Sequence, residues 1–398
     1  MRTSILQRIV RRAVPLVATL ATAYLLLPVV ARGQTTLNPD ISLIGDVRSF
    51  WHNDTTRSDR KALNLGLHEA ELAVQGYLNP YARADAFFAW HEGAGAEVEE
   101  LYVTFVRGLP LGLSVKAGQH LLDFGRVNPL HPHAYSFIER SLAHLEFFGE
   151  EGLRDVGVQA SLPLPTGDVA TTIAAELLKG GFLTPHTHSD VETGDGEAEA
   201  HVGGIAHEAE EETVPNKRGF AGRWDSFFAL GDYTSLNLGA SAVTGIPAEG
   251  QRRWLIGSDL KLRWKPDRYR SFTAVVEWII NRAPVHVHDE EESAARHAQA
   301  LHEENAAHLT RHGTFAYADY QFRQRYNIGA VGDWTQTLHD AEGELWRLGA
   351  FGGFAPVEET SLLRLLVAYQ RDVESATGYW SAMMQLIFSL GPHRPHAF

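Results

Sequence analysis

Most of the chain alternates between hydrophobic and polar positions with a period of two. In the segment 254–264, Trp254 and Ile256 occupy one set of alternate positions, whereas Asp259 and Lys261 occupy the other. Successive side chains of a β-strand point to opposite faces, so each such segment predicts a strand with one apolar and one polar face. The period of 3.6 residues that indicates amphipathic helices is scarce.

About sixteen segments show this alternation, and an even number is typical of bacterial outer-membrane barrels built from one chain. The predicted strands lie near residues 41–50, 64–78, 81–90, 97–107, 112–122, 153–163, 169–180, 219–230, 235–245, 253–265, 269–281, 314–323, 327–337, 344–354, 360–371 and 378–390. The pattern therefore predicts an all-β chain.

The lengths of the connections distinguish a membrane barrel from a soluble sandwich. Connections after even-numbered strands are tight and rich in turn formers, as at Asn79 and Pro80. The long connections, 123–152, 181–218 and 283–313, all follow odd-numbered strands. A sandwich has no reason to keep this parity. We therefore predict a transmembrane antiparallel up-and-down β-barrel of about 16 strands in outer-membrane lipid, with short periplasmic turns and long extracellular loops.

The first 33 residues predict a secretory signal peptide. An Arg-rich, acid-free start is followed by an apolar run, and Ala31 and Gly33 supply the small residues of a cleavage site. The alternative is a membrane anchor, but Pro15 and Pro28 leave the run short of the ~20 apolar residues that a helical span needs. We expect residues 34–398 to form the barrel in the outer membrane of a Gram-negative bacterium.

Composition excludes several other classes of protein. The chain has no cysteine and a formal net charge of -14, so thiolate-ligated metal centres are impossible and nucleic-acid binding is disfavoured. It contains neither a Gly-x-Ser-x-Gly elbow nor a His-Glu-x-x-His run, so no enzymatic activity is expected. The terminal aromatic, Phe398, is similar to the signal that the barrel assembly machinery reads.

Several segments resemble a family of porin-like outer-membrane proteins often labelled zinc-regulated TonB-dependent outer membrane receptors. They are 66–72 (GLHEAEL), 79–85 (NPYARAD), 97–100 (EVEE), 116–118 (KAG), 123–128 (DFGRVN), 130–134 (LHPHA), 147–152 (FFGEEG) and 391–393 (GPH). The resemblance implies an outer-membrane barrel linked to zinc supply. A TonB-dependent receptor has about 22 strands around an N-terminal plug. Only residues 34–39 separate the predicted cleavage site from the first predicted strand, so we expect no plug domain.

Two long loops combine histidines with acidic residues. Loops 181–218 and 283–313 contain ten histidines and fifteen acids against four bases. Imidazole and carboxylate suit Zn²⁺, Cu²⁺ or Ni²⁺ where thiolates are absent. A Gly- and Pro-free part of the second loop predicts a short helix on which Glu304, His308 and His312 would align. The candidate metal ligands are His186, His188, Asp190, His201, His207, His286, His288, Asp289, His297, His302, Glu304, His308 and His312. A solvated acidic loop without a specific site is the alternative.

The loop 123–152 follows the fifth predicted strand, where porins fold a loop into the barrel. Its apolar residues, among them Phe137 and Phe147, could pack inside, or they could cover the rim as a surface loop. The pair His131 and His133 could bind a metal or have a structural role. The candidate constriction residues are Arg126, His131, His133, Glu139, Arg140, His144, Glu146, Glu150 and Glu151.

The polar face of the predicted strands supplies the candidate lumen. These residues carry both signs of charge, so strong ion selectivity does not follow. They are Glu69, Glu71, Arg83, Asp85, Lys116, His120, Arg223, Asp259, Lys261, Arg263, Arg323, Arg347 and Arg364.

Together these patterns predict a porin-like channel for passive diffusion of small solutes or ions, whose outward loops collect divalent cations, zinc first. No cofactor is required, although Zn²⁺ is expected in the surface loops. A homotrimer is expected from the size of the barrel. The alternatives are a non-conducting receptor or adhesion barrel that acts through its loops, and a TonB-linked component of metal uptake.

Overall fold

The strands of this protein are long, regular and consecutive along the chain. The computed structural model describes residues 39–92, 95–180, 218–245, 252–284, 308–338, 343–357 and 360–391. Its sixteen described strands are β1 Asp40–His52, β2 Asn64–Asn79, β3 Ala82–Trp90, β4 Ala96–Phe105, β5 Ser114–Leu121, β6 Arg154–Leu164, β7 Ala170–Leu178, β8 Gly219–Ala229, β9 Thr234–Gly245, β10 Arg253–Trp264, β11 Arg270–Pro284, β12 His308–Phe322, β13 Tyr326–Gln336, β14 Glu344–Val357, β15 Ser361–Asp372 and β16 Gly378–Leu390. Residues 1–38, and with them the predicted signal peptide, lie outside the described residues.

Every strand pairs antiparallel with its neighbours in sequence, and β1 pairs with β16 to close the sheet. The closing register places Gly45 opposite Phe388 and His52 opposite Ser381. Closure removes the unpaired sheet edge, which a membrane-spanning sheet requires because lipid offers no hydrogen bonds to the backbone. The predicted sixteen-stranded antiparallel barrel is confirmed, with short turns after even-numbered strands.

The largest difference from the predicted strands is at β11 and β12. The ladder continues to the pair Pro284 and His308, so the connection is 285–307 rather than 283–313. The expected helical alignment of His308 with His312 is therefore wrong, because both residues belong to β12. Thr310, with its β-branched side chain, favours the strand over the helix at this point.

The two faces of the barrel differ as the alternation requires. Apolar side chains such as Val276, Leu348 and Leu365 are exposed on the outside, which is the face that meets lipid in a membrane barrel. Polar side chains such as Glu277 and Arg364 are buried inside the barrel. No helix in the described part of the chain is long and apolar enough to span a membrane.

Two short helices lie in the connection between β5 and β6. They are a 3₁₀ turn, Pro132–Ala134, and the helix α1, Leu142–Phe148. Ser141 caps α1 by accepting a hydrogen bond from the backbone N–H of His144 at 3.2 Å. We call residues 122–153, which contain both helices, the inserted loop.

Candidate functional site

The inserted loop fills part of the barrel interior and packs on inward-facing apolar residues. Phe124 and Phe147 belong to one buried cluster with Val243, Leu255 and Ile279 of β9, β10 and β11. A second cluster joins the middle of the loop to β12–β16. Its members are Val127, Tyr135, Phe137, Ile138, Phe315, Val331, Phe351, Leu366, Ala368 and Met383. Apolar side chains on an otherwise polar inner wall therefore mark where the loop sits.

Two glycines of the wall allow the loop to approach closely. A Cβ added to Gly257 would lie 2.7 Å from the ring of Phe124, and one added to Gly313 would lie 2.6 Å from Cβ of Ala143. Both distances are shorter than real carbon–carbon contacts. Any larger residue at these positions would push the loop away from the wall.

The first polar contact of the loop is made by Arg126. Its guanidinium donates to Asp225 and, at 2.5 Å, to Oδ1 of Asp259. Arg223 also donates to Asp259, from Nη1 at 2.8 Å. The backbone N–H groups of Arg126 and Val127 both donate to Oε1 of Glu277, at 2.5 and 3.0 Å. This end of the loop is thus fixed by ion pairs with β8 and β10 and by backbone hydrogen bonds to Glu277 of β11.

The middle of the inserted loop is held on the same wall by Arg347, a residue of β14 that is 4% exposed. Its guanidinium donates to Asp333 at 2.8 Å, to Glu139 at 2.6 Å and to the carbonyl oxygen of Arg140 at 2.9 Å. Arg364 donates to the carbonyl oxygen of Phe137 at 3.4 Å. We call the wall that carries Arg223, Asp225, Asp259, Asp333 and Arg347 the arginine side.

The opposite wall contacts the loop through histidines and glutamates. Nε2 of His131 lies 2.8 Å from Oε1 of Glu100, and its Nδ1 lies 3.0 Å from Oε2 of Glu71 and 3.2 Å from Oε2 of Glu99. Nδ1 of His133 lies 3.5 Å from the same oxygen of Glu71 and 3.9 Å from Oε1 of Glu69. We call Glu69, Glu71, Glu99, Glu100, His131 and His133 the His–Glu cluster.

A β-bulge aims two consecutive glutamates of β4 into this cluster. The pairing of β3 with β4 shifts between Phe87 and Phe88, so that Phe87 pairs with Glu100 and Phe88 with Val98. The extra residue, Glu99, breaks the alternation, and both Glu99 and Glu100 are buried. Burial alone would lower the pKa of His131, but Glu71, Glu100 and Glu99 raise it well above its usual value.

The remaining predicted constriction residues lie along the same loop. His144 is buried, with Nε2 3.1 Å from Oε2 of Glu277. Glu146 accepts a hydrogen bond from the backbone N–H of Leu338 at 2.6 Å. Glu150 is exposed, and Glu151 lies 3.6 Å from Arg154. These side chains are distributed along the loop rather than gathered into one ring.

The predicted lumen residues fall into several groups. Arg83 pairs with Asp85 at 2.8 Å, and His120 with Glu176 at 3.3 Å. The ammonium of Lys116 lies 5.2 Å from the ring centre of Tyr102. Glu69 and Glu71 belong to the His–Glu cluster, Arg223, Asp259 and Arg347 belong to the arginine side, and Lys261, Arg263 and Arg364 are inward-facing residues of β10 and β15.

Arg323 does not belong to this set, so its prediction as a lumen residue is wrong. It lies in the turn between β12 and β13 and is exposed, with a φ of 54°. The ladder ends at the pair Phe322 and Tyr326, so Arg323 lies where the chain reverses, and unlike Arg325 it does not line the larger interior cavity.

Of the predicted metal ligands in the outward loops, only those in β12 belong to the described part of the chain. His186, His188, Asp190, His201, His207, His286, His288, Asp289, His297, His302 and Glu304 lie outside the described residues. His308 is the first residue of β12. The ring of His312 stacks on Trp278, with centres 5.8 Å apart. Trp278 is 47% exposed, so this pair lies on the outer face of the barrel.

In the described part of the chain, cavities lie beside the loop, and two of them are lined by charged residues. A cavity of about 550 Å³ lies near the short turns, and its charged wall comprises Arg263, Lys265, Arg268, Arg325, Arg364 and Asp319. A smaller cavity, of about 310 Å³, is bordered by Asp123, Arg126, Arg223 and Asp225. The larger space is therefore bordered by five bases and one acid, whereas the smaller one has balanced charges.

Comparisons with known proteins support the fold. No family model matches the chain. An uncharacterized protein of Aquifex aeolicus (strain VF5) is 35% identical over 163 residues, which span 36% of this chain and 34% of that protein.

Solved structures similar to this one are outer-membrane barrels. An anion-selective porin from Comamonas acidovorans has a TM-score of 0.57 at 8% identity, covering 89% of this chain and 99% of its own. The outer membrane channel DcaP of Acinetobacter baumannii gives 0.51 at 9% identity, covering 90% and 99%. The trimer form of the outer membrane protein OmpT of Vibrio cholerae gives 0.52 at 8% identity, covering 89% and 100%. The chain therefore has the fold of outer-membrane porins.

Proposed function

We propose that this protein is an outer-membrane channel for passive diffusion of small solutes or ions. The observation that supports the proposal most is the inserted loop, which lies against two sides of the inner wall and leaves a cavity of about 550 Å³ beside it. A loop that narrows a barrel without filling it forms a constriction, and the size and charge of a constriction determine which solutes pass through a pore.

The charged wall of the larger cavity gives the channel a preference for anions. Five of its six charged residues are basic, and rings of Arg and Lys favour anion passage. The residues that border the smaller cavity carry both signs of charge, so the proposed anion preference depends on the larger cavity. One of the structurally similar proteins is described as anion-selective, and this supports measuring the same property.

Planar-bilayer recording tests both parts of this proposal. The purified barrel should give discrete conductance steps, and a KCl gradient should give a reversal potential of the sign expected for anions. Replacing Arg263, Arg268 and Arg325 together by Gln should move the reversal potential towards zero, whereas the matched exposed change Arg60→Gln should leave it unchanged. Absence of discrete steps would contradict the channel and favour a receptor or adhesion barrel that acts through its loops, or a TonB-linked component of metal uptake.

The outward loops 181–218 and 285–307 serve this channel by concentrating divalent metal at its mouth. Their density of histidine and acid supports the proposal, and the resemblance to a zinc-regulated family makes zinc the first metal to test. Deleting residues 184–214 should lower the number of weakly bound zinc ions measured by calorimetry and leave conductance nearly intact. Unchanged weak zinc binding after deletion of both loops would contradict this role.

Three such barrels associate in the membrane. Porins of this size are often trimers, and one of the similar structures is described as a trimer form. Mass measurement of the detergent-solubilised protein should give three chains per particle, and a mass of one chain would contradict the assembly.

A further inference from the structure

The facing atoms of the His–Glu cluster are spaced as metal ligands are. Nδ1 of His131 lies 3.0 and 3.2 Å from Oε2 of Glu71 and of Glu99, and Nδ1 of His133 lies 3.5 Å from Oε2 of Glu71. Around a tetrahedral zinc ion with bonds of about 2.0–2.2 Å, neighbouring ligand atoms lie about 3.3–3.6 Å apart. The same oxygen of Glu71 therefore lies near both histidines.

These atoms are close together but do not point at one another. Among the described residues, neither oxygen of Glu71 has a hydrogen-bond partner, nor has Oε2 of Glu99 or Nδ1 of His131. Glu71 is only 1% exposed, so water cannot replace the missing donor freely. A buried carboxylate without a hydrogen bond is costly and requires an explanation. Ligands that converge on a common ion have this geometry.

Glu100 orients the imidazole of His131 for such a role. Its Oε1 lies 2.8 Å from Nε2 of His131, and its Oε2 accepts a hydrogen bond from the backbone N–H of Leu121 at 2.8 Å. A carboxylate at Nε2 keeps the proton of that nitrogen in place, so that when a metal ion displaces the proton from Nδ1, the lone pair of Nδ1 faces Glu71 and Glu99. A carboxylate behind a metal-ligating histidine is the usual outer-shell arrangement of zinc sites.

The excess of negative charge in the His–Glu cluster also favours a bound cation. The ion pairs that the described residues make with Glu69, Glu71, Glu99 and Glu100 all come from the two histidines. Within ion-pair distance, four buried carboxylates therefore face two imidazoles among the described residues. Buried charges are normally paired or coordinate a metal.

We propose that Glu71, Glu99 and His131, whose ligand atoms lie within 4.8 Å of one another, bind a divalent transition-metal ion of the zinc class inside the barrel, with Glu69 and His133 next to them on the other side of Glu71. Imidazole and carboxylate donors favour Zn²⁺ over Ca²⁺ or Mg²⁺. The ligands come from β2, β4 and the inserted loop, so the ion fastens the loop to the β2–β4 wall. This site is separate from the outward loops, and it does not depend on whether the barrel conducts.

Zinc retention by the folded full-length barrel tests the site. The chelator-treated wild type should regain one tightly held zinc ion and, with Co²⁺ as probe, visible absorption bands from the bound ion. Glu71→Gln and His131→Gln should abolish this tight binding, and Glu100→Gln should weaken it by about 10–100-fold because it orients a ligand without touching the ion. The matched changes Glu150→Gln and His312→Gln should leave it intact. Equal tight binding by wild type and a folded Glu71→Gln variant would overturn the proposal.

A second measurement covers the case in which the cluster variants do not fold. A barrel that lacks residues 184–214 and 286–306 has lost most of the outward histidines but retains the whole His–Glu cluster. It should still bind one zinc ion tightly, and failure of the folded deletion variant to do so would overturn the site. Failure of the wild type to conduct in a bilayer would contradict the channel and leave this result unaffected.

Discussion

The arginine side and the His–Glu cluster fasten the same loop with different chemistry. On the arginine side two buried carboxylates are paired with guanidinium groups: Asp259 with Arg126 and Arg223, and Asp333 with Arg347. In the His–Glu cluster four carboxylates share two histidines. On the arginine side the negative charges of these carboxylates are balanced by arginines of the same chain. In the His–Glu cluster the excess negative charge is balanced by protons or by a bound cation.

This difference predicts opposite responses to the same kind of change. Removing one partner of a complete buried pair leaves an uncompensated charge and destabilises the fold. Removing a carboxylate from a cluster with excess negative charge relieves repulsion as long as no cation is bound. The arginine side should therefore set the stability of the loop, and the His–Glu cluster should set its response to metal.

Arg347→Met should have the largest effect. Asp333 and Glu139 would lose their guanidinium, and the carbonyl oxygen of Arg140 would lose a donor. Breaking one partner of a buried pair costs about 3–5 kcal/mol, so we expect the free energy of unfolding to fall by about that amount. Urea titration of the detergent-folded barrel, followed by its gel mobility, measures the loss. The double variant Arg347→Met with Asp333→Asn should recover part of the loss, and an additive decrease would contradict the pairing.

Arg126→Gln should have a smaller effect. Arg223 still reaches both Asp225 and Asp259, so neither carboxylate is left alone. We expect a loss of about 1–2 kcal/mol in the same titration, together with a change in reversal potential towards cation preference, because the charged wall of the smaller cavity loses a base. Arg60→Gln, an exposed residue, is the control. A loss as large as that of Arg347→Met would show that Arg223 does not compensate.

The architecture of the barrel could be predicted from the sequence, but the residues that contact the inserted loop could not. Alternation and the parity of connection lengths predicted the strands closely, because both follow directly from the geometry of a closed antiparallel sheet. The boundary of β12 was wrong because its first residues, starting at His308, join the ladder although they adjoin a helix-like composition. Arg323 was misplaced for the related reason that a turn begins there.

The site was only partly predictable. Glu71 and His131 were each selected, one as a lumen residue and one as a constriction residue, but their contact depends on the path of a loop that alternation does not describe. Two signals in the sequence could have indicated it. Consecutive acids at Glu99 and Glu100 suggest a bulge within a strand, and apolar inward positions such as Leu255 mark a wall that another segment covers.

Glu71→Gln should have the smallest effect on stability, and its sign distinguishes the two sides of the loop. In chelator-treated protein it removes one of four crowded negative charges, so the free energy of unfolding should rise by about 1 kcal/mol, whereas Asp333→Asn should lower it. Saturating zinc should stabilise the wild type in the same urea titration and leave the Glu71→Gln variant unchanged. If Glu71→Gln destabilises the chelator-treated barrel as Asp333→Asn does, the cluster is already neutralised within the chain, and the contrast between the two walls is wrong.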